Sequence, residues 1–220
     1  MRDFTPAIRP FSAAVVLLAS FSATQTTYAA PLELIFETHA AFFSAESKQP
    51  KVLDPHAFIT DLAAPAATGP QGIKHVAGVR PALVDQDATS APVFTADDRP
   101  LGFTLGEWLG ATGKVTIDGK EPVKLAATFS GLKPQGHYSL FENHFDEKPI
   151  GFTAMDGTGK TNNFVAKADG TAMITMTLPH MPTHDNAVLL VYHSDGRDHG
   201  TERGSIGVDA HHQIIVRIPQ

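Results

Sequence analysis

The sequence predicts a mainly β protein, an antiparallel, Ig-like β-sandwich of about seven strands with a short helix before it. Two observations favour this fold class. After about residue 101, short runs of strand-forming residues follow one another, and turn-forming residues separate them. In several runs apolar and polar residues alternate, so one face of each strand is expected in a core. A small barrel would fit the same spacing and is the alternative.

Residues 1–29 have the features of a cleavable signal peptide. Arg2 and Arg9 make the start weakly positive, and residues 11–21 form an apolar run. As a helix this run would reach only about 16 Å, which is too short to span a bilayer core. A small residue, Ala29, stands directly before the expected cleavage site. We therefore expect export to a periplasm or to the cell exterior.

Residues 30–100 differ in composition from the rest of the chain. They are rich in Ala, Pro and Asp, and dipeptides such as Ala64-Pro65 interrupt regular structure. Residues 34–47 could form one amphipathic helix or a strand and a turn, and periodicity is weak after them. We therefore expect an irregular extension with little regular structure up to residue 100, followed by the sandwich over residues 101–220.

The first clear element of the sandwich region is a short helix over residues 105–111. Thr104 and Glu107 have the spacing of a capping box, in which the threonine oxygen accepts from the Glu107 amide and the glutamate reaches back. Phe103 and Trp108 have the spacing of a hydrophobic staple around the same helix start. The tryptophan is therefore expected in the core.

Seven predicted strands follow the helix. Asp-Gly pairs, such as Asp118-Gly119 and Asp169-Gly170, favour tight turns between them. The run AVLLVY has no polar face, so we expect this strand at the centre of a sheet, covered on both sides. The predicted strands are residues 114–118, 123–129, 138–145, 163–168, 171–178, 187–193 and 213–218.

Charge and composition limit the classes of function. Without the signal peptide the chain has 15 basic residues (17 less Arg2 and Arg9) and 22 acidic ones (23 less Asp3), a net charge of −7. This acidity argues against nucleic acid or an anionic membrane as a partner, since both attract clustered Lys and Arg. No later segment approaches eighteen apolar residues, so the mature chain is expected to be soluble. The absence of cysteine excludes disulfides and thiolate ligands.

Motifs for catalysis are weak in this sequence. Residues 154–161, AMDGTGKT, match a relaxed nucleotide-loop pattern, but a strand-like run follows where a phosphate-binding helix is required. The sequence lacks cysteine and G-x-S-x-G, and the adjacent His193 and Ser194 would point to opposite faces of a strand. The sequence therefore predicts no catalytic residue.

The histidines are the unusual feature of the composition, since eight of the eleven lie in the C-terminal half. If consecutive strands are antiparallel, five histidines gather at one end of the sandwich, beside an acidic loop: His137, His193, His199, His211 and His212. A site formed by His193, His199 and either His211 or His212, with Asp195 as a carboxylate ligand, would suit Zn(II) or Cu(II).

Other interpretations of these residues stay open. Loop histidines are often merely solvated, and the acids and arginines beside them could form an ion-pair network. Asp195, Asp198 and Asp209 could bind Ca(II), although the spacing of an EF-hand is absent. At the opposite end of the sandwich, His180 and His184 flank a methionine and could hold Cu(I).

Three functions fit these observations. The first is an exported soluble binding module, which binds a transition metal through the His/Asp-rich loop at one end of the sandwich. The second is a metal-dependent periplasmic enzyme, in which three protein ligands leave one position for water. The third is a structural or adhesive domain without a cofactor, whose partner is another secreted protein. Nothing in the sequence demands catalysis, so the binding module ranks first.

Overall fold

The computed structural model describes residues 30–220, and the predicted signal peptide lies outside the described residues. The described chain has two α-helices, α1 (His39–Glu46) and α2 (Leu105–Leu109), and one 3-10 turn, Pro70–Gly72. Neither helix has the length and hydrophobicity needed to cross a membrane. The strands are β1 (Leu32–Ile35), β2 (Glu37–Thr38), β3 (Leu53–Asp61), β4 (Ala67–Thr68), β5 (Lys74–His75), β6 (Gly78–Leu83), β7 (Pro92–Phe94), β8 (Pro100–Thr104), β9 (Thr112–Asp118), β10 (Lys124–Ser130), β11 (His137–His144), β12 (Gly151–Ala154), β13 (Asn163–Val165), β14 (Ala172–Thr177), β15 (Asn186–His193) and β16 (Ala210–Arg217).

Two antiparallel sheets form the main body of the fold. The first has four strands in the order β1-β9-β10-β14, and the second has the order β12-β11-β15-β16-β2, with β13 also paired to β11. Their inner faces share one hydrophobic core, to which the first sheet contributes Val115, Leu125 and Ile174 and the second contributes Leu140, Leu190 and Ile214. The prediction of a mainly β, antiparallel fold is confirmed, and the Ig-like detail stays a prediction.

The predicted elements of residues 101–220 correspond closely to observed ones. Each predicted strand overlaps one of β9, β10, β11, β13, β14, β15 and β16, whereas β12 was not predicted. The apolar run became β15, which lies inside the second sheet with every residue buried. The capping box at Thr104 and Glu107 is present, and Trp108 is buried against Phe103 with ring centroids 5.4 Å apart.

The prediction of little regular structure over residues 30–100 was wrong. This segment contains β1 to β7 and α1, and β8 begins at its last residue, Pro100. It joins both main sheets, because β1 pairs with β9 and β2 pairs with β16. The remaining strands form a third sheet in the order β6-β3-β7-β8 and a small β4-β5 pair. Prolines at positions 55, 81, 92 and 100 interrupt the local strand pattern, although all four lie in paired strands. The boundary at residue 100 itself stays a prediction.

A β-bulge in β16 determines which face of the sheet its histidines occupy. Leu190 pairs with Ile214 and Val191 pairs with His212, so Gln213 has no residue opposite it. His212 therefore shares the outer face of the second sheet with Val191, whereas His211 is on the inner side. Bulges re-aim side chains in this way.

Helix α1 covers the outer face of the second sheet. Thr38 caps it, and its hydroxyl accepts from the amide of Ala41 at 3.3 Å. Phe42 packs into a second apolar cluster formed by residues of β11, β15 and β16, among them Phe141, Leu189 and Ile215. The first residue of α1 is thereby held beside β16.

Candidate metal centre

Three buried histidines from different elements meet between α1, β3 and β16. His39 is the first residue of α1, His56 lies in β3, and His212 reaches the outer face of β16 through the bulge. One candidate ligand atom of each residue lies within 4.8 Å of the other two. We call these three residues the interlayer histidine group.

The rings of the interlayer group are packed against one another. His56 and His212 are stacked with centroids 4.0 Å apart, and His39 stands edge-on to both, at 5.0 Å and 4.9 Å. Nε2 of His39 and Nδ1 of His212 are 3.4 Å apart. Two nitrogen ligands at 2.0–2.1 Å from a tetrahedral ion are separated by about 3.4 Å, so this pair already has a suitable spacing.

Several ring nitrogens of the interlayer group lack hydrogen-bond partners. Among residues 30–220, nothing bonds to Nδ1 of His39, Nδ1 of His56 or Nε2 of His212, although all three atoms are buried. Nε2 of His56 donates to Oε1 of Gln71 at 2.8 Å. With its proton on Nε2, His56 presents a free lone pair on Nδ1, and outer partners of this kind orient metal-binding imidazoles.

The environment keeps these imidazoles neutral. Burial lowers the pKa of His39 to about 3, and the charge of Arg203 adds to this effect. Burial likewise holds the pKa of His56 and of His212 well below the usual range, with the neighbouring imidazoles and Arg203 as further causes. A neutral imidazole is the form that binds a metal, so no proton has to be removed at neutral pH.

The backbone of His56 is fixed from both sides. The carboxylate of Asp54 accepts from the His56 amide at 2.8 Å and from Nε1 of Trp108 at 2.7 Å. Nδ1 of His211 donates to the carbonyl oxygen of His56 at 3.0 Å. Gln213, the bulge residue, donates to the carbonyl of Trp108 at 2.9 Å. Burial raises the pKa of Asp54 to about 6, and its hydrogen bonds oppose that rise.

The charge of Arg203 acts on all three histidines of the interlayer group and lowers the pKa of each. Its guanidinium lies over the ring of Phe152, with Cζ 3.5 Å from the centroid, and the same ring is 5.7 Å from that of His212. Burial lowers the pKa of Arg203 to about 10, so it stays protonated at neutral pH. Within residues 30–220 its Nε has no partner and it forms no ion pair. Its charge opposes a bare cation and favours an anionic ligand on one.

A cleft with a volume of about 440 Å³ adjoins the interlayer group. Two of the three histidines, His39 and His212, form part of its wall. Aromatic side chains make up much of the remainder, and the polar Asn143 lies among them. The lining residues besides the two histidines are Phe42, Phe43, Glu46, Ser47, Gln71, Asn143, Phe145, Ile150, Phe152 and Arg217.

The predicted loop site is only partly assembled. His193 and His199 are stacked with centroids 4.5 Å apart, and Nε2 of His199 donates to the Asp195 carboxylate at 3.2 Å. Nε2 of His193 is 2.5 Å from the hydroxyl oxygen of Ser139. We call His193, His199 and Asp195 the loop histidine group. As a metal site it stays a prediction.

The other two predicted ligands, His211 and His212, lie on opposite faces of the second sheet. His212 belongs to the interlayer group. The ring of His211 is engaged at both nitrogens, since Nε2 lies 3.2 Å from the hydroxyl of Ser194 and Nδ1 donates to the carbonyl of His56. Adjacent residues of a strand face opposite sides, which separates the two rings.

The remaining polar residues that the sequence singled out have protein partners. His180 donates to Glu142 at 3.2 Å, and His184 is 3.3 Å from Asp185. In the loop, Asp198 accepts from His137 at 3.1 Å and Asp209 accepts from the Ser205 amide. The copper and calcium alternatives therefore concern groups that are already hydrogen bonded.

His39 and His56 were missed by the sequence reasoning. Both lie in the segment that was expected to be irregular, and each is a single histidine in an apolar context, which usually indicates a core residue. No spacing motif connects either of them with His212. The one local signal was Thr38, a good N-cap residue that places His39 at a helix start.

In the relaxed nucleotide motif, residues 154–161, the carboxylate of Asp156 accepts the hydrogen bonds that the loop amides would otherwise donate to a phosphate. The amides of Thr158, Gly159, Lys160 and Thr161 all donate to the side chain of Asp156, at 2.7–3.0 Å. The loop amides are thus already satisfied, and no helix follows them. This agrees with the interpretation of the motif as a connection between strands.

No family model, no curated protein and no solved structure matches this chain. The interlayer histidine group has a geometry that could hold a metal ion.

Proposed function

We propose that this chain binds one transition-metal ion, Zn(II) or Cu(II), through His39, His56 and His212. The observation that carries the proposal is the convergence of three buried, neutral imidazoles whose ligand atoms lie within 4.8 Å of one another. Imidazole suits both ions, and the chain has no cysteine to offer a thiolate. The proposed ligands share only His212 with the set expected from the sequence.

The free Nδ1 of His56 favours metal binding over a purely structural role. Leaving a buried polar group without a partner costs about 1–3 kcal/mol, and His39, His56 and His212 each have one such nitrogen in the described chain. An ion held by Nε2 of His39 and Nδ1 of His212, the pair 3.4 Å apart, would leave the free nitrogens of those two rings unbound. Of the three free nitrogens, Nδ1 of His56 is the one that such an ion could satisfy. The Gln71 contact further supports this, since it directs one lone pair of His56 inward.

We propose further that the metal is bound after export. Support comes from the signal-peptide features of residues 1–29, and cleavage after Ala29 would leave β1, which begins at Leu32, intact. Mass spectrometry of protein recovered from the periplasm or the medium tests this directly. We expect a mature chain that begins at Ala30, and full-length protein retained in the cytoplasm would contradict export.

A metal-dependent enzyme is the second candidate, and the cleft favours it. Three histidine ligands leave a fourth position, as in catalytic zinc sites, and His39 and His212 line a cleft that could bring a substrate to it. A binding module and an enzyme share the same first step, so the metal is tested first.

The decisive experiment is a metal titration of the exported protein after removal of bound metal by a chelator. We expect one Zn(II) or Cu(II) per chain with sub-micromolar affinity, and X-ray absorption with three nitrogen neighbours at about 2.0–2.1 Å. His39→Phe and His212→Phe keep an aromatic ring and should each weaken binding at least a hundredfold. The double variant His193→Ala, His199→Ala is the control, and it should bind as the unmodified protein does.

Two outcomes would contradict the proposal. If the control loses binding while the phenylalanine variants keep it, the loop histidine group is the metal site. If no variant and no unmodified protein binds either ion, the interlayer group is structural. Far-UV circular dichroism and thermal unfolding of each metal-free variant distinguish loss of ligands from loss of the fold.

A further inference from the structure

The cleft beside the interlayer group has the size and lining of a small-molecule site. Its volume of about 440 Å³ is in the lower part of the range typical of ligand pockets, about 300–1,000 Å³. Phe42 and Phe145 stand on one wall with ring centroids 5.7 Å apart, and Phe152 lies beside His212. Such walls favour a flat apolar molecule over a sugar or a peptide.

One polar atom in this apolar wall lacks a partner. Asn143 projects from the outer face of β11 and is 4% exposed, and its Oδ1 is buried with no hydrogen bond to any of residues 30–220. A buried acceptor of this kind requires a donor. A ligand in the cleft can supply one through a hydroxyl group.

The charges around the cleft favour an anionic oxygen near the histidines. Arg217, at the rim, is paired with Glu46 at 3.1 Å, but Arg203 has no ion pair within the described residues. Cζ of Arg203 lies 3.5 Å from the ring centroid of Phe152, and that ring is 5.7 Å from the ring of His212, so the field of Arg203 acts on the histidine end of the cleft. The same field would stabilise a negative charge on a ligand that approaches them.

We propose that this cleft binds a catechol, with the ring against the phenylalanines of the cleft wall, one hydroxyl donating to Asn143 and the other oxygen directed to the metal held by His39 and His212. The catechol class combines a flat ring, a hydrogen-bond donor and an oxygen that ionises readily beside a metal ion. The position of the second oxygen rests on the proposed metal site, whereas the ring and Asn143 contacts do not require it.

The test uses 4-nitrocatechol, whose visible absorption changes on ionisation and on metal binding. It is titrated into the exported protein, both loaded with Zn(II) and free of metal. We expect one molecule per chain, at least tenfold tighter binding with the metal, and the spectrum of an ionised, metal-bound catechol. Toluene, which has the ring but no hydroxyl, should bind more weakly and without a difference between the two forms.

Variants separate the contacts. Asn143→Leu should weaken 4-nitrocatechol about tenfold and leave toluene and Zn(II) binding unchanged, while Phe152→Ala should weaken both aromatic molecules. Met173→Ala, at an exposed position on the other sheet, is the control and should change nothing.

The outcomes also separate the two proposals. Zn(II) binding without any 4-nitrocatechol binding overturns the catechol site and leaves the metal site standing. If Zn(II) does not bind, 4-nitrocatechol binding that is weakened by Asn143→Leu and by Phe152→Ala still supports the cleft as the binding site. If neither variant changes 4-nitrocatechol binding, the cleft is not the site and the proposal is overturned.

Discussion

The interlayer and loop histidine groups differ in how their ring nitrogens are satisfied. In the loop group, His199 has a carboxylate partner, and His193 has a hydroxyl partner at Nε2 but a buried Nδ1 without a partner among the described residues. The interlayer group contains no carboxylate, and each of its three rings keeps a buried nitrogen without a partner in the described chain. A loop rich in histidine and acid can thus satisfy most of its own ring nitrogens. Three of the four buried histidine nitrogens without a partner in the described chain lie instead in the interlayer group.

The largest expected difference is the response of the metal-free protein to acid. Because burial lowers the pKa of His39 to about 3 and those of His56 and His212 well below 6.5, the unfolded state binds more protons below pH 6.5. Stability is therefore full above pH 6.5 and falls by about 1.4 kcal/mol per pH unit for each of these residues as the pH drops. The raised pKa of Asp54 acts in the opposite direction between about 6 and 4.

Urea unfolding at pH 7.5, 5.5 and 4.5 measures this loss. His39→Phe should reduce the dependence of stability on pH below 6.5 by about 1.4 kcal/mol per pH unit, which corresponds to one proton. The burial-lowered pKa of His193, about 4, gives the loop group a smaller share of the same effect. A free energy of unfolding that does not change between pH 7.5 and 4.5 would contradict the assignment of neutral, buried imidazoles.

The next effect concerns the support of His56. Trp108→Phe removes the donor at 2.7 Å from the buried Asp54 carboxylate, and we expect a loss of about 1–3 kcal/mol at pH 7.5. At pH 5 the loss should be smaller, because Asp54 with its raised pKa is then largely protonated. Chemical unfolding at both pH values tests this. Equal losses would mean that the substitution acts through packing alone.

A smaller effect is expected from the contact that orients the His56 ring. Gln71→Leu removes the acceptor for Nε2, so metal affinity should fall about tenfold and folding stability by about 1 kcal/mol, because a buried donor loses its partner. Gln71→Glu keeps an acceptor and should retain the affinity. Competition with a coloured chelator measures both constants. An unchanged affinity for Gln71→Leu would show that the ring is held by its stacking on His212.

The smallest effect is expected in the loop group. His199→Ala removes the contact with Asp195, and we expect less than about 0.5 kcal/mol in stability and no change in metal affinity. Isothermal titration and thermal unfolding provide the two measurements. A drop in metal affinity larger than threefold would reverse the comparison between the two groups.

Much of the fold follows from local pattern, and the site does not. The capping box at Thr104 and the apolar run of β15 specify their structures within a few residues. The interlayer group depends on contacts between residues far apart in the chain. It also depends on the bulge at Gln213, because with a regular β16 His212 would share the face of Ile214 in the main core. Period-two reasoning cannot locate a bulge from sequence, so it could not place His212 opposite His39 and His56.

The position of Trp108 gives the molecule an internal optical probe. It is the single tryptophan of the chain, and its indole donates to Asp54, which in turn holds the amide of His56. Its emission therefore senses both the charge of that carboxylate and any displacement of β3 by an incoming ion. Fluorescence of the unlabelled protein can thus follow occupation of the histidines in real time, with no dye attached and no residue replaced.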